Sequence, residues 1–347
     1  MTDRKEYSLK DFYFDLPEEL IAQYPGSKRD ASRLFVVNKR SNNFSHRSFS
    51  DLPELLIDGD VLVMNNVRVI PARIFMKRNT GGEVEVILTR KIDSTHWEVV
   101  CNRTRRIRVD EILYARNNPE IQFKVLNKSD GVIRIESSIV LTEEILLDIG
   151  NIPLPPYIQR KPEDHDYQRY QTVYASEAGA AASPTAGLHF SDKLINDIKD
   201  MGVKIVFLTL YVSWGTFQPV RQDDISMHKM HSESFIMPEE TASVINLARS
   251  EGRRVIAVGT TSLRVLEATY LEGKNIAGKG ETDIFIYPPY KIRSADVLVT
   301  NFHTPGSTLL MLVTAFGGYD TIMSAYKVAV NEGYRFFSYG DAMIIIP

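Results

Sequence analysis

From Val67 to Ser137 the chain becomes a series of short runs in which apolar and polar residues alternate: VRVIPARIFM, EVEVILTRK, HWEVVCN, EILYARN, IQFKVLNK and GVIRIES. Turn pairs such as Asp130-Gly131 separate them. Period-two alternation in segments this short predicts a small antiparallel barrel or sandwich, because each strand has one face to bury and tight turns pair it with its neighbour. This block constrains the rest, since no α/β sheet continues through it. Upstream lie an irregular or helical stretch, DLPEELIAQYP, and two strand candidates, RLFVVNKR and DVLVMNN. Downstream, NIPLPPY is too rich in proline for a helix or a central strand and reads as a linker.

Beyond residue 165 strands alternate with helices, as a mixed or parallel sheet requires. Ser191 can cap a helix on which Leu194, Ile195, Ile198 and Met201 recur at helical spacing, ending at Gly202. The apolar run VKIVFLTLYV follows, then a helix from Pro238 to Gly252, the strand RVIAVG and a helix from Thr261. IFIY and DVLVT read as strands, Pro305 and Asp320 open helices, and YRFFSY and AMIII read as the last strands. Neither flank is complete alone. The expected architecture is a mixed α/β core, with a barrel-like mixed sheet and helices, built from residues 1–66 and 151–347. An inserted small antiparallel β-barrel domain, 67–150, interrupts it. A length of 347 residues suits about two domains.

The single cysteine, Cys101, excludes an internal disulfide and a thiolate metal site, and fits a reducing compartment. The amino terminus is charged and lacks the apolar core of a signal peptide. The longest apolar stretch, TLLMLVTAF, is about nine residues where a membrane span needs roughly 20. We expect a cytoplasmic protein with no membrane association. GKNIAGKG imitates a phosphate loop but carries Gly280 where the magnesium-binding hydroxyl belongs and follows a helix, so it reads as a surface turn. His228, His231 and Glu233 would share one face of a helix; without HExxH or thiolates no metal is expected.

Three segments have the character of a binding site. Gly259, Thr260, Thr261 and Ser262 fall at a strand-to-helix turn, where free N–H groups suit an anion, with simple N-capping as the alternative. Tyr170 to Phe190 combines small residues, two tyrosines and His189 without a helical or strand period, which allows a ligand close to the backbone. TNFHTPGST sets Asn301 and His303 at a strand end before a Pro-led helix, where ligands of α/β sheets collect. In the barrel block, Arg68 to Arg134 holds 14 Lys/Arg against 8 Asp/Glu, centred on Arg103, Arg105, Arg106 and Arg108. Such a cluster can neutralise RNA phosphates or be a solvated strand face.

VIPAR with GGEVEV, IPLPPYI, YQTVYA, SPTAGLHF, GTFQPV, MHSE, VGTTSLRVLE, TDIFIYPPY, TNFH with STLLML, and YRFFSYGDAM occur in this order along almost the whole chain. Together they resemble the S-adenosylmethionine:tRNA ribosyltransferase-isomerase family of queuosine biosynthesis. The resemblance implies a two-domain fold, an α/β core interrupted by a small β-barrel. It also implies transfer and isomerisation of the ribosyl moiety of S-adenosylmethionine onto 7-aminomethyl-7-deazaguanine at the tRNA wobble position, giving epoxyqueuosine, adenine and methionine. S-adenosylmethionine is then a consumed substrate, no true cofactor is needed, tRNA is the macromolecular partner and a monomer is expected. On this reading His189, His303 and Glu233 are the catalytic candidates. Substrate contacts fall to Tyr170, Gln171, Tyr174, Pro184, Thr185, Gly187, Thr216, Phe217, His231, Gly259, Thr260, Thr261, Arg264, Asn301, Phe302 and Asp341. Arg68 and Arg73, with Arg103, Arg105, Arg106 and Arg108, are the tRNA candidates.

The chain departs from the family pattern at Tyr211-Val212-Ser213, where His-Val-Gly is usual, at Asn65-Asn66-Val67 for Asn-Asp-Thr, and at Pro305-Gly306-Ser307-Thr308 for Pro-Lys-Ser-Thr. Two alternatives follow. One is a tRNA-binding paralogue with lost or altered chemistry; the other is an S-adenosylmethionine-dependent methyltransferase, for which no glycine-rich first β-α turn exists.

Overall fold

A computed structural model of the chain describes residues 7–102, 104–129, 131–212, 220 and 222–347. Among them nine strands form the core sheet. In spatial order they are Gly278–Thr282, Glu233–Met237, Lys204–Leu210, Val61–Asn65, Val255–Val258, Val297–Asn301, Ala342–Ile346, Arg33–Asn38 and Asn43–Ser48. The four central strands, Lys204–Leu210 through Val297–Asn301, are parallel; the flanking pairs are antiparallel except Ala342–Ile346 with Arg33–Asn38, which is parallel. The core is therefore the expected mixed sheet, assembled from both sides of the inserted block.

The central strands are continuous apolar runs because both faces are covered. Val61 and Val63 face a core shared with the helices Glu239–Ser250, Thr260–Ala268 and Thr308–Gly317. Leu62 and Met64 face a second core closed by the helix Asp192–Asp200. Ser191 caps that last helix, its hydroxyl accepting from the Leu194 amide at 3.1 Å. Among the described residues no single helix is long and apolar enough to cross a membrane.

The inserted block forms six strands, Arg73–Arg78, Glu83–Lys91, His96–Cys101, Ile112–Ala115, Gln122–Ser129 and Val132–Ser137. Pairing of the first with the fourth, Met76 opposite Ala115, closes them into an antiparallel barrel. Gly150–Asn151 adds two residues beside Arg73–Ile74. Trp97, Val99, Phe123, Val125 and Ile133 fill the interior, which accounts for the alternation in the sequence. Val67–Val69, read as part of the first barrel strand, instead pairs in parallel with Glu177–Ala180.

Other elements also differ from expectation. IFIY is not a strand: Thr282 Oγ1 accepts from the Ile284 amide at 3.2 Å and turns the chain out of the ladder. The edge strand lies upstream at Gly278–Thr282 and absorbs the end of GKNIAGKG. YRFFSY is irregular because Phe337 takes a φ of 72°, which no strand accommodates. MHSE is not helical; Glu233 opens a strand and pairs with Thr282, so His228, His231 and Glu233 share no helical face.

Candidate active site

The parallel strands Val255–Val258 and Val297–Asn301 finish at one edge of the sheet, and a cavity of about 280 Å³ opens there. This is where open α/β sheets place ligands, and the volume lies near the lower end of small-molecule sites. Pro184 and Thr185, Gly259 to Thr261, and Asn301 to His303 bring the three predicted segments into this one space. Val212 and Val220, which flank the stretch 213–219, also line it.

Two helices begin at the cavity. Thr260–Ala268 starts on Gly259, whose φ of 90° suits glycine and which offers no side chain to cap the first turn. Ser307 caps Thr308–Gly317 by accepting from the Leu310 amide at 3.2 Å. Residues of both first turns line the cavity, so the positive ends of two helix dipoles act on the same volume. Three buried polar atoms on lining residues, Ser183 Oγ, Thr261 Oγ1 and Asn301 Oδ1, have no hydrogen-bond partner among the described residues. An unpaired buried polar group costs about 1–3 kcal/mol, and a polar ligand would relieve it.

The hydrogen bonds of Asn301 settle its orientation and that of His189. Asn301 Nδ2 donates to the Phe337 carbonyl at 3.1 Å and to His189 Nε2 at 3.0 Å. Because the carbonyl only accepts, the amide nitrogen is fixed on that side, and His189 Nε2 must be the unprotonated nitrogen. Nδ1 therefore carries the proton and donates to Ser32 Oγ at 2.7 Å. The ring lies against Phe49 with centroids 5.0 Å apart. Burial first, then the positive charges of Arg335 and Arg29, lower its pKa to about 3. His189 stands behind the cavity wall with both nitrogens engaged.

His303 stands in the wall. Its Nε2 shares a 2.9 Å hydrogen bond with Thr300 Oγ1, and its backbone N–H donates to the Tyr326 hydroxyl at 3.1 Å. Burial lowers its pKa to about 3, so the imidazole is neutral at physiological pH. Aromatic faces border the same space. Tyr157 stacks on Phe337 at 4.4 Å, and its hydroxyl shares a 2.6 Å hydrogen bond with Ser338. Tyr13 lies at the rim, its ring 3.0 Å from where a side chain at Gly306 would begin.

Several expected contacts fall elsewhere. Tyr170 is fully buried against Tyr339. Gln171 brackets Val69, accepting from its N–H at 3.0 Å and donating to its carbonyl at 2.6 Å. The Tyr174 hydroxyl lies against Gly187, where any side chain would clash with it. Asp341 accepts from the backbone N–H groups of Arg33 and Arg335, tying the last strand to the first. Glu233 and Arg264 form a buried ion pair. Glu233 also borders, with His231 and Tyr211, a second cavity of about 770 Å³ between barrel and core. These residues stabilise loops and strands that the sequence alone could not distinguish from substrate contacts.

Among the tRNA candidates, Arg68 is paired with Glu143, and Arg73 lies 3.1 Å from Glu85 and donates to the Leu154 carbonyl at 3.1 Å. Arg106 and Arg108 are exposed. Thr216, Phe217 and Arg103, and the side chain of Arg105, lie outside the described residues. Sequence reasoning missed Ser183, Tyr157, Phe337 and Ser338 as cavity residues. Each lies inside one of the family motifs, SPTAGLHF, IPLPPYI or YRFFSYGDAM, and that membership was the available signal.

The family described as queuosine biosynthesis protein has a model that matches residues 9–345, and the chain belongs to that family. Similar curated proteins include the S-adenosylmethionine:tRNA ribosyltransferase-isomerase of Carboxydothermus hydrogenoformans, 48% identical over 339 residues, covering 97% of this chain and 99% of that protein. The protein of the same name from Caldanaerobacter subterraneus subsp. tengcongensis is 48% identical over 340 residues, with the same coverage. A crystal structure of S-adenosylmethionine tRNA ribosyltransferase from Thermotoga maritima is 33% identical, with a TM-score of 0.56 over 97% of this chain and all of that one.

Proposed function

We propose that this chain is an enzyme that transfers and isomerises the ribosyl moiety of S-adenosylmethionine onto tRNA. The acceptor is the aminomethyl group of a 7-deazaguanine at the wobble position, and the products are epoxyqueuosine-tRNA, adenine and methionine. The observation that carries this reading is one cavity in which two helix N-termini, three unpaired polar atoms and a neutral histidine meet, in a chain related throughout its length to proteins named for this reaction.

The chemistry asks for specific groups. A sulfonium acidifies the neighbouring ribose 5′ carbon, so a base must take that proton. His303, the imidazole that stands in the cavity wall, is that base in our proposal, although burial makes it a weaker proton acceptor than a free imidazole. The methionine carboxylate fits the uncapped first turn at Thr260 and Thr261. Aromatic faces at Tyr157, Phe337 and Tyr13 suit the cation, at roughly 0.5–2 kcal/mol each. Ser183 Oγ, Thr261 Oγ1 and Asn301 Oδ1 then meet polar groups of the substrate. An attacking amine with a pKa near 10 is neutral in roughly one molecule per thousand at pH 7, a penalty of about 4 kcal/mol. A nearby acceptor for its proton removes most of that. His189 serves as a positioning residue through Asn301, and Glu233 as the counter-ion of Arg264.

Of the family departures, Ser213 lies outside the described residues, and Gly306, in place of the family's lysine, lines this cavity. Tyr211 borders the second cavity, and Asn66 bonds Thr209 at 2.7 Å and Ser176 at 3.0 Å. Ser307 still caps its helix. We further infer a division into a core of residues 1–66 and 151–347 and an insertion of 67–150, supported by the six barrel strands between Arg73 and Ser137, although Val67–Val69 pairs with Glu177–Ala180 and Asn151 with Arg73 across those bounds. A monomer working in the cytoplasm without a resident cofactor completes the proposal.

The test is incubation with S-adenosylmethionine and tRNA carrying the deazaguanine precursor. The native chain is expected to release adenine and methionine together. His303→Asn and His303→Ala are expected to slow release by about 10²–10⁴-fold. Formation of S-adenosylhomocysteine, or no adenine from the native chain, would overturn the reaction; full activity in both variants would overturn the base.

A further inference from the structure

We propose that a small cationic notch behind the Asn301–His189 wall holds a phosphodiester of the bound tRNA, an inference that rests on the proposed tRNA substrate. Lys28, Arg29, Arg169 and Arg335 line the notch around His189. Among the described residues no Asp or Glu lines it. Ser338 lines both this notch and the strand-end cavity, so the two share a wall.

The hydrogen-bond partners of Arg29 and Arg169 leave their charge uncompensated, whereas Arg335 is paired with Asp341. Arg29 donates to the carbonyls of Leu188 at 3.3 Å and Gln168 at 2.8 Å. Arg169 Nη1 reaches the Ser27 carbonyl at 3.5 Å, and its buried Nε has no partner among the described residues. Arg335 Nη2 lies 3.4 Å from Asp341, a carboxylate that already accepts two backbone N–H groups. Carbonyls hold a guanidinium in place but do not neutralise it. Burial, and then repulsion from Arg169, push the Arg29 pKa down, and attraction from Asp192 offsets them only in part.

Size selects the ligand class. The notch has a volume of about 20 Å³, enough for about one water-sized oxygen and too small for a base or a ribose. A phosphate can place an oxygen in it while its remaining atoms stay outside, and planar arginine forks match phosphate geometry. The location fits a substrate whose reacting base enters the cavity on the other side of the wall. Of the arginines expected to hold tRNA, Arg68 and Arg73 are less suited, since they already pair with Glu143 and Glu85.

The experiment measures equilibrium tRNA binding across a salt series for the native chain, Lys28→Ala, Arg169→Ala and the charge reversal Lys28→Glu, at a position that is exposed and safe for folding. We expect each variant to bind tRNA about 5- to 20-fold more weakly, with the slope of log affinity against log salt reduced by about 0.7–0.9 for each phosphate no longer neutralised. The kinetic loss should fall on the KM for tRNA and spare the KM for S-adenosylmethionine. Arg169→Lys should recover most of the slope, which a purely structural role would not predict. Unchanged affinity and slope in all variants would overturn the proposal, as would a notch that binds inorganic phosphate alone while tRNA binding stays native. Binding requires no turnover. A native chain with a notch-dependent slope that releases no adenine would refute the reaction and leave the notch standing.

Discussion

Replacing His189 with Gln removes a proton acceptor that only the unfolded chain uses. In the folded protein the ring is 4% exposed, and burial and two arginines hold its pKa at about 3; in the unfolded chain it returns to about 6.5. Above pH 6.5 neither state carries the proton, and the residue contributes nothing to pH dependence. As pH falls through 6.5 the unfolded chain takes up a proton that the folded ring refuses until near pH 3, so folding stability declines across that interval. At pH 5 the difference amounts to about 2 kcal/mol, from 1.36 kcal/mol per pKa unit over roughly 1.5 units. Glutamine keeps an acceptor for the Asn301 amide and does not titrate. Urea unfolding of the native chain and His189→Gln at pH 7.5 and pH 5.0 provides the assay. The native chain should lose about 2 kcal/mol more than the variant between the two pH values. His303, buried to the same pKa, should add a similar amount, so the double variant loses about 4 kcal/mol less than the native chain. Equal losses in native and variant proteins would show that His189 is hydrated and titrates normally, refuting its place behind the wall.

The buried pair of Glu233 and Arg264 should behave as an ion pair stripped of water. Glu233→Ala or Arg264→Ala alone should destabilise by about 3–5 kcal/mol in urea unfolding, and the double variant by less than the sum. The unpaired cavity atoms predict the opposite balance. Ser183→Ala and Thr261→Val should leave stability unchanged or raise it by up to about 1 kcal/mol while weakening S-adenosylmethionine binding, measured by calorimetry, about 5- to 10-fold.

Much of the architecture could be read along the chain because local pattern and tertiary demand agree there. The barrel strands alternate because their interior is packed by Trp97, Phe123 and similar residues, and alternation is a local signal. The central core strands are apolar throughout because helices cover both faces. IFIY and YRFFSY carry the same apolar composition, but a threonine hydroxyl at Thr282 and a left-handed Phe337 withdraw them from the sheet. Composition does not report such backbone events.

The candidate site divides in the same way. The motifs around Pro184, Gly259 and Asn301 were visible as irregular, small-residue or strand-end segments, and they do meet in one cavity. Their chain order decided nothing about which side chains turn inward. His189 and His303 look equivalent in sequence, yet one is held by Ser32 and Asn301 behind the wall and the other borders the cavity. What the sequence determined by itself was the alternation of strands and helices, the inserted barrel and the ordered motifs, all properties of residues near one another in the chain. Only the tertiary structure decided which polar atoms are left unpaired, which histidine is enclosed, and where four cations gather around one notch. Desolvation and hydrogen bonding depend on neighbours more than a hundred positions away, as between His189 and Asn301.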